Sequence, residues 1–381
     1  MLRDEDLDAL TWPIIEIYER IERALLAEIA SRLDVNDKLG GTAVWQLQKL
    51  DELWALNVNT AKIFAEHTGK TEEELRAMIE KAGFANIDFP EVIQAYKGGW
   101  LHVNPEAIFD DPALRRTVDS SFREIKGTFR MINTKAMDGT KSAYMDVLNR
   151  TYIEVGSGIY DYQTSIKRGL LAMADKGITA ATYQREDGST GHYSIEAAVR
   201  RDTLTAVHQA ANRETDEACK RMGVTHVEVS SHVGARVSTR SEIANHAGWQ
   251  GKVYKLEGFD DKYGNLKAHT GYPDDIQGLG GVNCRHRFYP FIPGVSKPVF
   301  EHYDEAEAAK LYKLTQKQRA KERRIRAQKR DIAVAKAAGF PPEDIKAMRK
   351  QLNGYYDDII AFCKENGLKR EYIREMIEGE K

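Results

Sequence analysis

Apolar positions near the start of the chain recur every three or four residues. Ile14, Ile17, Tyr18, Ile21, Leu25 and Ile29 form one stripe, with Glu16, Glu19, Arg20, Glu22 and Arg23 opposite. That spacing predicts a helix with one buried face, and Pro13 suits a first turn, where a missing N–H costs little. Gly40-Gly41 predicts a break before a second apolar set at Trp45, Leu50, Leu53 and Trp54. A third helix is expected over 59–67, and Thr71 with Glu74 reads as a capping box opening a further helix that stops at Gly83. Between 84 and 142 the periodicity is broken: Pro90, Gly98-Gly99, Pro105 and Pro112 predict short helical pieces, with an edge near Trp100. Helix is expected again over 143–154 and 166–176, on either side of Gly156-Ser157-Gly158. Tyr183 to His192 carries the turn residues of a loop or hairpin. Ser194 is placed to cap a long helix ending near Met222.

After Gly223 the texture changes. Thr225 to Ser230 alternates as a strand does, and 249–256 and 287–292 are two more short strand candidates. Between them Gly248, Gly251, Gly258, Gly264, Gly271, Gly278, Gly280 and Gly281 are interleaved with aromatics. Such density predicts tight turns and small irregular strands. From Glu301 onward the pattern is helical again, with Pro341-Pro342 opening a new helix and Gly367 closing it. The expected fold class is α+β, predominantly α. Three regions are expected: a helical 1–195, a long helix plus a small Gly-rich α+β module over 196–298, and a helical basic tail over 299–381.

Composition narrows the function classes. Lys and Arg total 56 against 58 Asp and Glu, leaving a net charge of −2, so neither a globally basic nucleic-acid coat nor a polyacidic protein is expected. Three cysteines, Cys219, Cys284 and Cys363, cannot build a disulfide scaffold and suit a reducing compartment. No apolar run is long enough to span a membrane, and the acidic start lacks a signal segment; synthesis in a cytoplasm is expected. Charge is locally segregated, however. Lys310, Lys313, Lys317, Arg319, Lys321, Arg323, Arg324, Arg326, Lys329 and Arg330 share their stretch with one acid, Glu322. This run is either a solvated face or a contact for a polyphosphate or an acidic protein, the former through counterion release.

Reactive side chains concentrate in the Gly-rich module: His232, His246, His269, Cys284 and His286. Zinc takes four N or S ligands in a tetrahedron, and Cys284 with His286 could supply two. No paired Cys-x-x-Cys knuckle accompanies them, so a metal-free core of buried Cys and hydrogen-bonded His is the simpler expectation, with zinc as the variant. A metal-dependent nuclease using His232, Asn245 and His246, or an effector enzyme with a Cys284 nucleophile, is the enzymatic alternative. No G-x-G-x-x-G or phosphate loop is present.

Several segments resemble the minor capsid protein 2 family of tailed phages. They are Ser231-His-Val-Gly-Ala-Arg236, Trp249-Gln-Gly-Lys-Val-Tyr254, Gly278-Leu-Gly-Gly-Val-Asn-Cys-Arg-His286 and Phe288-Tyr-Pro-Phe-Ile-Pro-Gly294. Ile14-Ile-Glu-Ile-Tyr18, Trp45-Gln-Leu-Gln-Lys-Leu50, the Thr-Glu-Glu-Glu stretch, Gln318-Arg-Ala-Lys-Glu-Arg323, Ile325-Arg326 and the run from Phe362 to Arg370 extend the likeness over most of the chain. Asn283-Cys-Arg-His286 is also similar to the Cys-Arg motif of Mu F-like head morphogenesis proteins. The sequence departs at Arg236-Val-Ser-Thr239, where Arg-Pro-x-His would be expected.

The resemblance implies a structural, non-enzymatic virion protein of the capsid interior or portal region, made in the bacterial cytoplasm. It implies the portal and other head proteins as partners, with a part in head assembly, DNA packaging or DNA exit. It transfers no catalytic residues and no cofactor. His232, Trp249, Gly251, Lys252, Tyr254, Asn283, Cys284, Arg285, His286 and Pro290 are its motif positions, expected to be architectural, with Cys284 and His286 closing the module against the strand at 227–229. Lys317, Arg319, Lys321, Arg323, Arg324, Arg326, Lys329 and Arg330 are the expected contacts for packaged DNA or an acidic partner. Trp12, Trp45 and Trp54 are expected anchors toward the portal.

Overall fold

Helix dominates the computed structural model, which describes residues 4–37, 41–87, 90–108, 110–184 and 188–377. The first helix, α1 (Asp4–Arg32), runs straight through Pro13 instead of starting there. An internal proline costs about 3 kcal/mol. Burial of Ile14, Ile17, Tyr18, Ile21, Leu25 and Ile29, at roughly 1.5–3 kcal/mol per side chain, outweighs it. Helices α2 (Thr42–Asp51) and α3 (Leu53–Ile87) follow; of the predicted Gly40-Gly41 break, Gly40 lies outside the described residues. The expected helix start at Thr71 and stop at Gly83 do not occur, because both residues lie inside α3. The Thr71 hydroxyl donates back to the His67 carbonyl at 2.8 Å, so the side chain caps nothing, and buried Leu75, Met78, Ile79 and Ala82 continue the stripe.

The prolines of the broken stretch each open a helix: α4 (Pro90–Lys97), α5 (Pro105–Ile108) and α6 (Pro112–Gly156), as the fixed φ of proline favours at a first turn. α6 is far longer than the helix expected from 143. α7 (Tyr162–Lys176) is capped by Asp161, whose carboxylate accepts the Thr164 N–H. Strands β1 (Thr179–Gln184) and β2 (Thr190–Ser194) form an antiparallel hairpin, the second of the two forms, loop or hairpin, expected over 183–192. The Ser194 hydroxyl then accepts the Ala197 N–H at 3.2 Å to start α8 (Ile195–Met222). Beyond it come β3 (His226–Val229), α9 (His246–Trp249), β4 (Val253–Lys255), β5 (Gly264–Asn265), α10 (Leu266–Thr270) and β6 (Phe288–Phe291). Two long helices, α11 (Glu305–Ala337) and α12 (Pro342–Glu365), close the chain before a short 3-10 turn at Tyr372–Arg374. The fold is α+β and predominantly α.

The chain forms two compact units, each drawn from three segments. One comprises Ile15–Thr71, Phe129–Val199 and Lys317–Lys381. In it Tyr18, Ile17, Ile21, Leu25 and Ile29 of α1 and Tyr144 of α6 are among the largest fully buried side chains. Tyr18 meets Phe129 edge-on at 5.2 Å and donates its hydroxyl to Asn133 Oδ1. Trp45 packs edge-on against Tyr162, and the Tyr144 hydroxyl donates to the Lys49 carbonyl. α11 and α12 share a core of Ile325, Ile332, Leu352, Ile359 and Cys363. The other unit comprises Met1–Ile14, Glu72–Thr128 and Arg200–Gln316. Its sheet has the order β5-β4-β3-β6, with β3 antiparallel to both β4 and β6. Val227, Val229, Phe288 and Tyr289 from β3 and β6 join Cys219 and Met222 of α8, Val92 of α4 and Leu114 of α6 in one core.

Candidate functional site

The unit with the four-stranded sheet gathers a cluster of histidines around one cysteine. β6 is an edge strand, so Pro290 can pair with Val227 without leaving a ladder bond unmade. Ahead of β6 the chain makes a tight turn in which the Cys284 N–H donates to the Gly281 carbonyl. A Cβ on Gly281 would lie 2.1 Å from the Ile276 carbonyl oxygen, so only glycine fits there. Asn283 takes a left-handed φ of 58°, which asparagine tolerates better than most residues. The turn delivers Cys284 and His286 inward, and the Ser230 N–H donates to the Arg287 carbonyl at 2.7 Å to lock it against the end of β3.

His246 joins them from α9. One ligand-capable atom from each of His246, Cys284 and His286 lies within 4.8 Å of the other two, and all three residues are sealed, at 2 %, 1 % and 0 % exposure. Cys284 Sγ is 3.6 Å from His286 Nδ1. The Gln250 Oε1 oxygen accepts the His232 main-chain N–H at 3.0 Å and meets His286 Nε2 at 2.9 Å. The backbone donor identifies that amide atom as oxygen, so His286 Nε2 carries the proton and Nδ1 keeps its lone pair. His246 Nε2 likewise meets the Gln277 main-chain carbonyl at 2.8 Å, which can only accept, leaving Nδ1 the basic nitrogen there too. Burial, with the Gln277 bond opposing it, brings the His246 pKa down to about 4. Burial, then the neighbouring His232, His246 and His208, pushes His286 well below its ordinary value. Both imidazoles are therefore neutral at physiological pH.

The remaining motif residues frame this cluster. His232, half-buried, stacks on His286 with ring centroids 4.4 Å apart. Trp249 presents its ring to His286 at 4.8 Å and donates its indole N–H to the Ile243 carbonyl. Tyr254 donates its hydroxyl to the Trp249 carbonyl and so ties β4 to α9, while Lys252 Nζ, just ahead of β4, donates to the Gly248 carbonyl. Gly251 has φ +66°, and a Cβ there would sit 2.8 Å from the Glu301 carbonyl oxygen. Arg285 is half-buried and Asn283 exposed. Arg236, the last residue before the departure from the family pattern, donates to the Val282 and Gln277 carbonyls, bracing the loop that orients His246.

Two predicted members stand apart. His269 is exposed and lies against Tyr254. Asn245, the expected partner of a nuclease histidine, accepts the Ser238 N–H and donates to Glu305. Sequence reasoning missed Gln250, the amide that sets the His286 tautomer, and two residues of α8. Asn212 accepts the Phe288 N–H and donates to the His286 carbonyl. His208 is fully buried, with its pKa lowered by burial and then by Arg287, Arg285 and His232. Polar His208 and Asn212 four residues apart among Val207, Ala210 and Ala211 were the available signal. Among the described residues, His208 Nδ1 and Gln250 Nε2 are buried with no hydrogen-bond partner.

The basic run of α11 is divided by its own packing. Arg326 and Arg330 both pair with the Glu196 carboxylate, at 2.5 and 2.8 Å. Arg326 also donates to the Arg374 carbonyl, Lys329 donates to the Glu375 carbonyl, and Lys321 pairs with Asp358. Glu322, the one acid of the run, is itself buried, which raises its pKa against the pull of Arg374, Arg326 and Arg319. The expected contact face is thus corrected: Arg326 and Lys329 are buried and Arg330 is bound inward, while Lys317, Arg323 and Arg324 are exposed.

A family model described as phage minor capsid protein 2 matches residues 2–364. A structural protein of Lactococcus phage LL-H is 28 % identical over 237 residues, and the match spans 61 % of each chain. A structural protein of Lactococcus phage mv4 is 35 % identical over 120 residues, 31 % of this chain and 95 % of that one. No solved structure matches.

Proposed function

Because the chain belongs to the phage minor capsid protein 2 family, we propose that it is a minor structural component of a tailed-phage head, docked on the portal and without catalytic turnover. The family match across nearly the whole chain carries this reading. A virion location is consistent with it, and the reading includes a part in head assembly, DNA packaging or DNA exit. The geometry of the cluster favours a structural over an enzymatic role: His246, Cys284 and His286 are sealed from solvent, and a phosphodiester cannot reach them.

The surface offered to the portal lies on α2 and the start of α3. Val44, Leu47 and Trp54 are 55 %, 65 % and 75 % exposed, spaced three and seven residues apart. Glu52 keeps right-handed helical angles between the two helices, so the stripe holds one face. A projecting tryptophan with aliphatic neighbours is the composition of an interface anchor. Of the expected anchors, Trp45 is buried, and Trp12 is half-buried under the Arg200 guanidinium; Trp54 is the one displayed. The full-length chain with Leu47→Glu and Trp54→Asp should fold normally yet fail to co-purify with the portal assembly. Wild-type recovery of the variant would remove this surface from the reading, and absence of the chain from purified virions would remove the head assignment itself.

A further inference from the structure

We propose that His246, Cys284 and His286 form a zinc site that staples the Gly-rich module, supplying three of its tetrahedral ligands. The three donors come from two separate pieces of chain, His246 from α9 and Cys284 and His286 from the turn before β6, and one donor atom from each lies within 4.8 Å of the others. Ligand-to-ligand separations around tetrahedral zinc are somewhat shorter, so small side-chain rotations close the site. A soft sulfur beside two imidazoles suits zinc and disfavours magnesium or calcium, which take oxygen.

The tautomers support the same assignment. Zinc-binding histidines typically donate their other ring N–H to a carbonyl or carboxylate, which fixes the ring and raises its basicity. His286 Nε2 points to the Gln250 side-chain oxygen and His246 Nε2 to the Gln277 carbonyl, so each ring keeps Nδ1 for an ion. On His286 that nitrogen already faces Cys284 Sγ. Binding replaces the S–H of Cys284 by an S–Zn bond and releases one proton to solvent; both imidazoles enter neutral. No redox partner is needed.

The module also has a use for the ion. Its strands are two to four residues long and its helices four or five, so little of its backbone is fixed by regular hydrogen bonding. A metal linking α9 to the turn before β6 supplies that restraint, as in small zinc-dependent domains.

The test uses the intact chain. Protein purified from zinc-supplemented cells should carry close to one zinc per chain, and a chelator should lower its thermal midpoint. Apoprotein titrated with cobalt(II) should develop tetrahedral d–d bands together with a thiolate-to-cobalt charge-transfer band. Calorimetry in buffers of different ionisation enthalpy should report one proton released per zinc. Cys284→Ser should abolish the charge-transfer band, Cys363→Ser should retain it, and Gln250→Ala should weaken zinc binding about tenfold or more. Folded wild-type protein that takes up no cobalt, or binds it without a thiolate band, overturns the proposal even if Cys284→Ser does not fold. So does loss of the band in folded Cys363→Ser.

Discussion

Single residues carry unusual weight where a buried charge organises several chain segments. Glu22 of α1 accepts the Ile178 N–H on one carboxylate oxygen and the Glu196 N–H on the other, joining the start of the β1–β2 hairpin to the first turn of α8. Burial raises its pKa from 4.5 to about 7, with Arg330 opposing and Glu196 reinforcing the shift. An acid whose folded pKa is raised binds more protons folded than unfolded. Stability therefore falls as pH rises between those two values and levels off above about 7. The contribution is on the order of 3 kcal/mol, at about 1.4 kcal/mol per pH unit. Asp331, raised by burial to about 7, titrates in the same window and adds to the slope. Urea unfolding at successive pH values should show that decline, and Glu22→Gln should flatten part of it. The amide loses one acceptor oxygen, so the variant should also be weaker by about 1–2 kcal/mol at pH 5. An unchanged slope in the variant would assign the decline elsewhere. At Cys284 the effect is one of packing: with no metal bound, Cys284→Ala should lower stability by about 1–3 kcal/mol, the range for a small core truncation plus a lost buried contact.

Elements show what periodicity can and cannot convey. The α1 stripe, the α7 helix, the β1–β2 hairpin, the Ser194 cap and the short strands β3 and β6 were all legible, because each is decided by residues close in sequence. Thr71 misled because a threonine three residues before a glutamate satisfies a cap or a helix interior equally well; buried Leu75 and Met78 settle which. Of the candidate site, Cys284, His286, His246 and His232 were legible as a concentration of reactive types. The parts of Asn212 and Gln250 were not, because each acts through hydrogen bonds spanning 18 to 76 residues of sequence, nor was that of His208, whose charged neighbours Arg287, Arg285 and His232 are equally remote along the chain. α11 makes the same point with charge. Its run of ten cations reads as one basic face, yet Glu196, Asp358 and two C-terminal carbonyls claim Lys321, Arg326, Lys329 and Arg330. Two opposite outcomes are expected from one helix. Neutralising Lys317, Arg323 and Arg324 should cost no more than about 1 kcal/mol, the share of Arg324 where it lies 4.1 Å over the Tyr355 ring. If α11 contacts packaged DNA, the same change should weaken DNA retention alike for all sequences and flatten its salt dependence. Replacing Arg330 by alanine should cost about 1–3 kcal/mol, because one Glu196 oxygen and the Ala174 carbonyl would lose their donor while Arg326 still pairs with Glu196. Chemical denaturation and DNA retention at several salt concentrations, measured on both variants, separate the two faces.

The whole molecule is divided differently from its sequence textures. A reader of composition separates 1–195, 196–298 and 299–381, whereas the compact units each draw on three distant segments. One unit needs Glu22 to meet the Ile178 and Glu196 amides and needs Arg330 to reach Glu196. The other needs Val92 and Leu114 to meet Val227, Val229 and Phe288. A cut between 195 and 196 severs both sets: the first fragment keeps Glu22 but loses Arg330 and the α8 amide. The second keeps the sheet but loses the helices that cover it. Each fragment would leave its share of the Ile, Leu and Val core open to water, at roughly 25 cal/mol per Å² of apolar surface, against a net stability of only some 5–15 kcal/mol. Residues 1–195 and 196–381 produced separately should therefore lack a cooperative thermal transition and bind a hydrophobic dye, whereas the intact chain should unfold cooperatively. Coexpression of the two pieces should restore a soluble, folded complex, since the same contacts can then form between chains. A sharp, reversible transition in either fragment alone would show that its unit is built from that segment without the others, and the interleaved arrangement would have to be given up.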